Sequence, residues 1–448
     1  MQMSLETEKT SAGAIREHVQ ACLKKIEAYA DPAVWISRLC AEHVEAQVAR
    51  VIARQAQGIA QPLAGLTVGV KDNIDVGHVP TTAACPDFAY TPTDSAFVVQ
   101  KLCDAGAIVL GKTNLDQFAT GLVGVRSPYG ACRNTINPEY ISGGSSSGSA
   151  VAVAAGLVDF SLGTDTAGSG RVPAAFNNLI GVKPTCGLLS TRGVVPACRS
   201  LDCVSIFTRD CHLARIVLDA ARGFDEQDIY SRKINDDVAG PARAANRRFT
   251  FGVPDAKDLQ FFGNDAMRKL FDASVDRMTT IGGAPVAFDL QPFLATAELL
   301  YDGPWVAERM AAVGLFYREH PKSLLPVIET IIKGADKYSA VAAFEGQYRL
   351  KALQRQTEPT WQAIDVMLLP TTGTIYKIAE VQADPIALNR NLGYYTNFVN
   401  LLDLCALAVP AGVMPSGLPG GVSLIAERGH DHDLLDLGQA FVNQGTRK

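Results

Sequence analysis

Two short stretches crowd serine and glycine against apolar runs: GGSSSGSA at 143–150 and GTDTAGSGRVP at 163–173. Small residues let backbone approach a ligand closely, and consecutive N–H groups in such turns can converge on one oxygen. Converging donors are what the oxyanion of an acyl-transfer reaction requires. Read singly, each stretch is an ordinary Ser/Gly loop. Read together, a Ser-rich turn, a helix over 150–156, a short strand near Phe160 and a second Gly-Ser turn set Ser145 and Ser169, twenty-four positions apart, on one folded unit.

The surrounding elements must hold those two turns in place. Residues 11–57 carry helical spacing of apolar positions, broken near Asp31-Pro32, and read as two helices. From about residue 62, short apolar runs at 66–70, 107–110, 203–207, 250–253, 366–369, 404–409 and 422–425 read as buried strands alternating with helical segments. That alternation predicts an α/β fold: a large mixed, mostly parallel sheet covered by helices on both faces. The stretch 263–357 is almost continuously helical in pattern, with one strand-like run at 285–290, and a Pro/Gly-rich turn at 410–421 precedes a final strand and helix. The expected organisation is an N-terminal helical segment, 1–60, and a larger unit over 61–448. That unit has a core at 61–260 and 360–448 and a helical elaboration at about 261–359.

With 47% hydrophobic and 19% charged residues over 448 positions, the chain can bury a substantial core. A net charge of −5 and the absence of any Lys/Arg block argue against a nucleic-acid partner. The start, MQMSLETEKT, lacks the charged-then-apolar order of a signal peptide. The apolar stretches at 147–158 and 401–414 are interrupted short of the roughly 18 residues a membrane span needs, so no membrane partner is expected. Ten cysteines without a C-x-x-C pair fit reduced thiols, and with them a cytoplasmic location, better than a disulfide framework.

The two turns, with GVKDNIDV at 69–76, GKTNLDQFATG at 111–121 and LGTDTAGSGRVPAAFNNLIGVKPT at 162–185, resemble the amidase-signature family, over most of 61–215 and more weakly at 360–430. The resemblance implies a nucleophile at Ser169, a bridging serine with a cis peptide at Ser145, and a base at Lys71. It implies an oxyanion hole from the main-chain N–H groups of Thr166, Ala167, Gly168 and Ser169, braced by Asp165 and Arg171. A serine hydroxyl needs a base to take its proton, and lysine serves only when neutral, which requires burial. Without the rest of the motif, Lys71 reads equally as a surface lysine beside Asp72 and Asp75. Ala167 stands where the family usually has Gly, and Gly170 where it has a β-branched residue; both changes alter the pocket wall and leave the backbone donors.

Other motifs carry less. GAIVLGKT at 106–113 satisfies the phosphate-loop pattern, but its four central residues are a β-type apolar run where a phosphate cradle needs a loop. Seven histidines form no H-E-x-x-H, and the S-x-x-K pattern of β-lactamase-type enzymes is absent. His430-Asp431-His432-Asp433 reads as a solvated turn opening the last helix rather than a metal site, and Cys85, Cys132 and Cys186 as packing residues. No cofactor and no metal are expected.

Segments at 121–130 (GLVGVRSPYG), 164–171 (TDTAGSGR), 194–207 (VVPACRSLDCVSIF) and 300–309 (LYDGPWVAER) resemble the allophanate hydrolase branch of the family. That resemblance implies allophanate as the substrate, with Tyr301, Arg309 and Gly124 binding it; Arg offers a fork for a carboxylate and Tyr a hydroxyl. Tyr301 and Arg309, eight apart, are expected on one helix and one broad face. It also implies a homodimer, coupling to a urea carboxylase, and a C-terminal decarboxylation domain that is expected to lie outside this chain. The alternatives are a general small-amide amidase, a non-catalytic protein on the same fold and a glutamine-type amidotransferase subunit.

Overall fold

The computed structural model describes residues 11–233 and 248–445. The polar start read at 1–10 lies outside the described residues, as does the part of the expected core at 234–247. Among the described residues the architecture is one sheet of eleven strands. They are β1 (Trp35–Arg38), β2 (Thr67–Lys71), β3 (Ile108–Thr113), β4 (Phe160–Asp165), β5 (Ile180–Lys183), β6 (Cys203–Thr208), β7 (Phe249–Pro254), β8 (Gly283–Phe288), β9 (Val366–Pro370), β10 (Leu404–Val413) and β11 (Pro419–Glu427). Their spatial order is β1-β3-β2-β4-β6-β5-β10-β11-β9-β7-β8.

Each apolar run expected to be a strand is one, because runs such as Val366–Pro370, buried at every position, satisfy both faces of a covered sheet. The sheet is mixed, as expected, but its balance differs from the mostly parallel expectation. Parallel pairing is confined to β3-β2-β4 and β9-β7-β8, while the centre, from β4 through β6, β5, β10 and β11 to β9, is antiparallel. The cause is local: β10 and β11 form a hairpin, which cannot pair in parallel. The turn expected at 410–421 shrinks accordingly to 414–418, with both flanks in strand.

The two expected N-terminal helices are Ala12–Ala28 and Ala41–Ala56; between them the chain also makes β1, too short to show alternation. Ser11 caps the first helix by accepting from the Ala14 N–H. His18 pins it to the sheet through Asp159, Nε2 to Oδ2 2.7 Å, and that bond with Cys22 raises the imidazole pKa to about 10. His18, Cys22 and Asp159 are the described group in which metal-type donor atoms converge. The Asp159 oxygen already accepts from both the N–H and the hydroxyl of Thr67, so the cluster is a hydrogen-bonded anchor.

The stretch 265–363 is helical apart from β8, as expected, and includes helices Asp265–Thr280, Gln291–Tyr301, Trp305–Glu319, Pro326–Lys333 and Ala340–Ala363. No described helix is long and apolar enough to cross a membrane. All ten cysteines are free thiols, eight of them buried. Asp431 opens the last helix, Asp431–Gly445, where an opening turn was expected, but it is not solvated: its buried carboxylate accepts from the Thr185 N–H and hydroxyl.

Candidate active site

Lys71 is the last residue of β2, and its side chain has no exposed surface. Its Nζ donates to Ser145 Oγ at 2.8 Å and to Thr164 Oγ1 at 2.7 Å. Among the described residues no carboxylate forms an ion pair with it. Burial lowers its pKa to about 7 against the raising influence of Asp116, Asp202 and Asp165, so much of it is neutral near neutrality. The acids that made a surface ion pair conceivable are engaged elsewhere: Asp72 sits 3.2 Å from Lys112, and Asp75 accepts from Thr81 and Tyr90. Lys112 is also the lysine of the phosphate-loop pattern, and it lies buried within β3, inside the sheet.

Ser145 is buried in the turn before helix Ser147–Ala154, and the Gly144–Ser145 peptide bond is cis. Its carbonyl accepts from the Asp116 N–H at 3.0 Å, tying the 143–150 turn to the 116–126 loop. The sequence folds tightly here because small residues let helix Ser147–Ala154, buried at all but its last position, pack directly on β4. The structure thus joins Lys71 to Ser145. It places Ser169 differently: the Oγ, 3% exposed as a residue, donates to the Gly121 carbonyl at 3.4 Å rather than to Ser145.

The loop carrying Ser169 follows β4 and is organised by Asp165. One carboxylate oxygen accepts from the Gly168 N–H at 2.8 Å, the other from the Gly170 N–H at 3.0 Å. Arg171 closes the clamp with Nη2 and Nε at 2.8 and 2.9 Å from the same carboxylate, and reaches on to the Thr396 carbonyl and Asn400. Burial alone would raise the Asp165 carboxyl; the Arg171 guanidinium overcomes it and holds the pKa below the usual range. Asp165 and Arg171 are thereby tied to each other and to the loop backbone.

Gly168 departs from the expected oxyanion role. At φ +127° its N–H turns to Asp165, and a Cβ there would lie 2.5 Å from Thr396 Oγ1. Among the described residues the N–H groups of Thr166, Ala167 and Ser169 have no hydrogen-bond partner, leaving those three as open donors. The Thr166 hydroxyl is fixed by Asp202 at 2.5 Å, whose carboxyl burial raises to about 6.

Tyr301 and Arg309 meet, although not on one helix. Tyr301 ends helix Gln291–Tyr301 and Arg309 belongs to helix Trp305–Glu319, because Gly303 and Pro304 break the chain between them. The guanidinium folds back over the ring, 5.2 Å from its centroid, with Nη2 3.3 Å from the hydroxyl. Arg309 is 2% exposed, and its Nη1 donates to Thr120 Oγ1 at 2.9 Å. A cavity of about 450 Å³ adjoins them, lined by Arg126, Leu294, Tyr301, Asn389, Tyr394 and Asn397. Gly124 stands apart: its N–H is donated to Asp116 and its carbonyl accepts from Cys132, so both polar groups are engaged. Its contribution is close packing, since a Cβ there would lie 2.5 Å from the Gly143 carbonyl oxygen.

Sequence reasoning missed Thr164, Asp116, Thr120, Arg126 and Asp202. All are buried polar residues inside or beside the motifs, a placement that single-residue composition does not reveal.

A family model described as Amidase matches residues 17–435. The urea amidolyase of Lachancea kluyveri is 45% identical over 430 residues, 93% of this chain and 23% of that protein. A glutamyl-tRNA(Gln) amidotransferase subunit of Nostoc sp. is 34% identical over 432 residues, 89% of this chain and 87% of that one. Among solved structures, Kluyveromyces lactis allophanate hydrolase matches with a TM-score of 0.91 at 42% identity, covering 97% of this chain and 71% of that one. The chain thus spans 23% of the length of the urea amidolyase it matches.

Proposed function

This chain belongs to the amidase family, and from that premise we propose that it hydrolyses allophanate, releasing ammonia through an acyl-enzyme on Ser169. One observation carries the reading: a fully buried lysine, its pKa lowered to about 7, hydrogen-bonded to a serine hydroxyl and paired with no described carboxylate. That is a general base held ready at neutral pH.

In the proposed cycle, rotation about the Ser169 Cα–Cβ bond takes its hydroxyl from the Gly121 carbonyl toward Ser145. Ser169 Oγ attacks the terminal ureido carbonyl while its proton passes through the Ser145 hydroxyl to Lys71. The open N–H groups of Thr166, Ala167 and Ser169 receive the oxyanion. The proton returns to the leaving nitrogen, ammonia departs, and water, deprotonated along the same route, cleaves the acyl-enzyme. The product, N-carboxycarbamate, breaks down to carbon dioxide and ammonia. Arg309 and the Tyr301 hydroxyl take the substrate carboxylate, which a buried guanidinium paired with no described carboxylate suits. The names and matched coverage of the urea amidolyase and the allophanate hydrolase support this substrate.

The assay is ammonia release from allophanate, malonamide and glutamine. Preference for allophanate is expected; preference for malonamide would favour a general amidase, and for glutamine an amidotransferase role like that of the Nostoc relative. A fluorophosphonate probe separates catalysis from a non-catalytic role: an adduct is expected at Ser169, and none under active conditions would revive the latter.

A cytoplasmic homodimer coupled to a urea carboxylase completes the proposal. Free cysteines support the location, and the greater length of the urea amidolyases supports the coupling. Val341, Phe344 and Tyr348, exposed along one face of helix Ala340–Ala363, support self-association, which sedimentation measures.

A further inference from the structure

Thr120 lies between the two halves of the site and has no role in the cycle above. Its hydroxyl accepts from Arg309 Nη1 at 2.9 Å and donates to the Phe118 carbonyl at 3.1 Å, using both of its directions. Its own carbonyl accepts from Arg126 Nη1 at 2.9 Å. The next residue, Gly121, supplies the carbonyl that holds Ser169 Oγ. One peptide unit therefore separates the group that fixes Arg309 from the group that fixes the serine.

The chain reaches this arrangement against its own preference. Phe118 and Ala119, just before Thr120, sit in the left-handed region at φ 51° and 52°, which residues with side chains rarely adopt. The loop is over-determined to keep them there. Asp116 accepts from the N–H groups of Val123, Gly124 and Arg126, Arg126 Nη2 donates to the Pro385 carbonyl, and Asn389 accepts from the Leu122 N–H. Strain held by so many bonds marks a segment whose position matters. Arg309 has the converse character: its Nε is buried without a partner, so Thr120 and Tyr301 provide the side-chain contacts that set its orientation.

We infer that Thr120 is a positioning residue for substrate recognition, its hydroxyl setting the Arg309 guanidinium at a fixed offset from the Ser169 nucleophile. The inference rests on the reading of Arg309 as the carboxylate-binding group. A single rigid strut would hold the substrate carboxylate and the attacked carbonyl in register, so that only a ureido carboxylate of the right length spans them. A β-branched residue suits the task, because its χ1 is restricted.

Thr120→Val keeps the shape and branching and removes the hydroxyl. Steady-state kinetics on allophanate should show KM rising about 10- to 100-fold, the range for loss of a hydrogen bond to a charged group, with a much smaller change in kcat. Thr120→Ser should restore KM to within several-fold of the parent, and the rate of Ser169 labelling by an uncharged fluorophosphonate should fall far less than kcat/KM for allophanate. An unchanged KM in Thr120→Val alongside a raised KM in Arg309→Ala overturns the inference and leaves the functional reading intact. An unchanged KM in Arg309→Ala overturns that reading itself. Parallel losses of labelling and of kcat/KM in Thr120→Val would make Thr120 a general support of the loop and overturn its specific role. If the valine variant does not fold, Thr120→Ala takes its place under the same criteria.

Discussion

Around β2, β3 and β4 the sheet seals charged groups away from water: Lys71, Asp72, Lys112, Asp165 and Arg171 have no exposed surface, and four of the five lie on strands or open a helix. The helical layer from Asp265 to Ala363 is built the other way. Among the described residues its one buried charged side chain is Arg309, while Leu315, Val341, Phe344 and Tyr348 stand 57–69% exposed. Beside the sheet, Lys71 is fixed by strand backbone, and Ser145 and Ser169 lie on the turns packed next to it. In the layer, the group read as selecting the substrate is held by a tyrosine from the preceding helix and by a threonine borrowed from the sheet side. The proposed chemistry thus sits beside the sheet, and the proposed recognition sits where the helical layer meets it.

The comparison breaks most sharply at Ser169. Ser169→Ala should lower kcat by on the order of 10⁴-fold or more while leaving the melting curve unchanged; substantial residual turnover in a purified variant would move the nucleophile elsewhere. Within the sheet itself, two buried lysines should part company. Lys71→Met should cost roughly 10²- to 10⁴-fold in kcat, the range for a general base, with little loss of stability, since no described carboxylate is left unpaired. Lys112→Met strands the buried Asp72 and should destabilise by about 3–5 kcal/mol in denaturant unfolding; equal stability losses in both variants would erase the distinction between them.

Arg309→Ala tests the layer. KM for allophanate should rise about 10- to 100-fold, with kcat/KM for the neutral diamide malonamide little affected, and parallel losses on both substrates would remove its carboxylate role. The last test is of pH. In the proposed cycle Lys71 would act only when unprotonated, and protonation is favoured as pH falls through about 7. The kcat/KM profile should therefore rise with pH, by about tenfold per unit below that value, and flatten above it. A flat profile from pH 5 to 7 would show that the amine is already neutral or is not the base.

Much of this is legible in the sequence. The buried strands announce themselves as short apolar runs, and the two Ser/Gly turns draw attention to Ser145 and Ser169, while the family resemblance implies their roles and that of Lys71. What escapes does so for physical reasons. β1 is four residues long and gives no alternation to read. The eight-residue spacing suggests one helix for Tyr301 and Arg309, although Gly303-Pro304 between them is a breaker pair; the local signal is present, and reading the spacing alone passes over it. Asp116 and Thr120 lie within a quoted motif, yet their roles come from a loop whose left-handed residues, Phe118 and Ala119, carry no compositional mark. The Gly168 N–H cannot be separated from its neighbours without the φ angle that turns it toward Asp165.

The place of β10 and β11 in the sheet bears on how the molecule is made. They lie between β5 and β9, so among the described residues the two halves of the sheet join through the 404–427 hairpin. On the ribosome, β1 to β6 emerge long before that hairpin, and β5 waits with one hydrogen-bonding edge open while more than two hundred further residues are added. Asn400, which supports Arg171, arrives equally late. An open apolar edge of that kind invites chaperone capture or pairing with another nascent chain, so yield during expression should depend on translation speed across residues 184–403 more than on the stability of the finished protein.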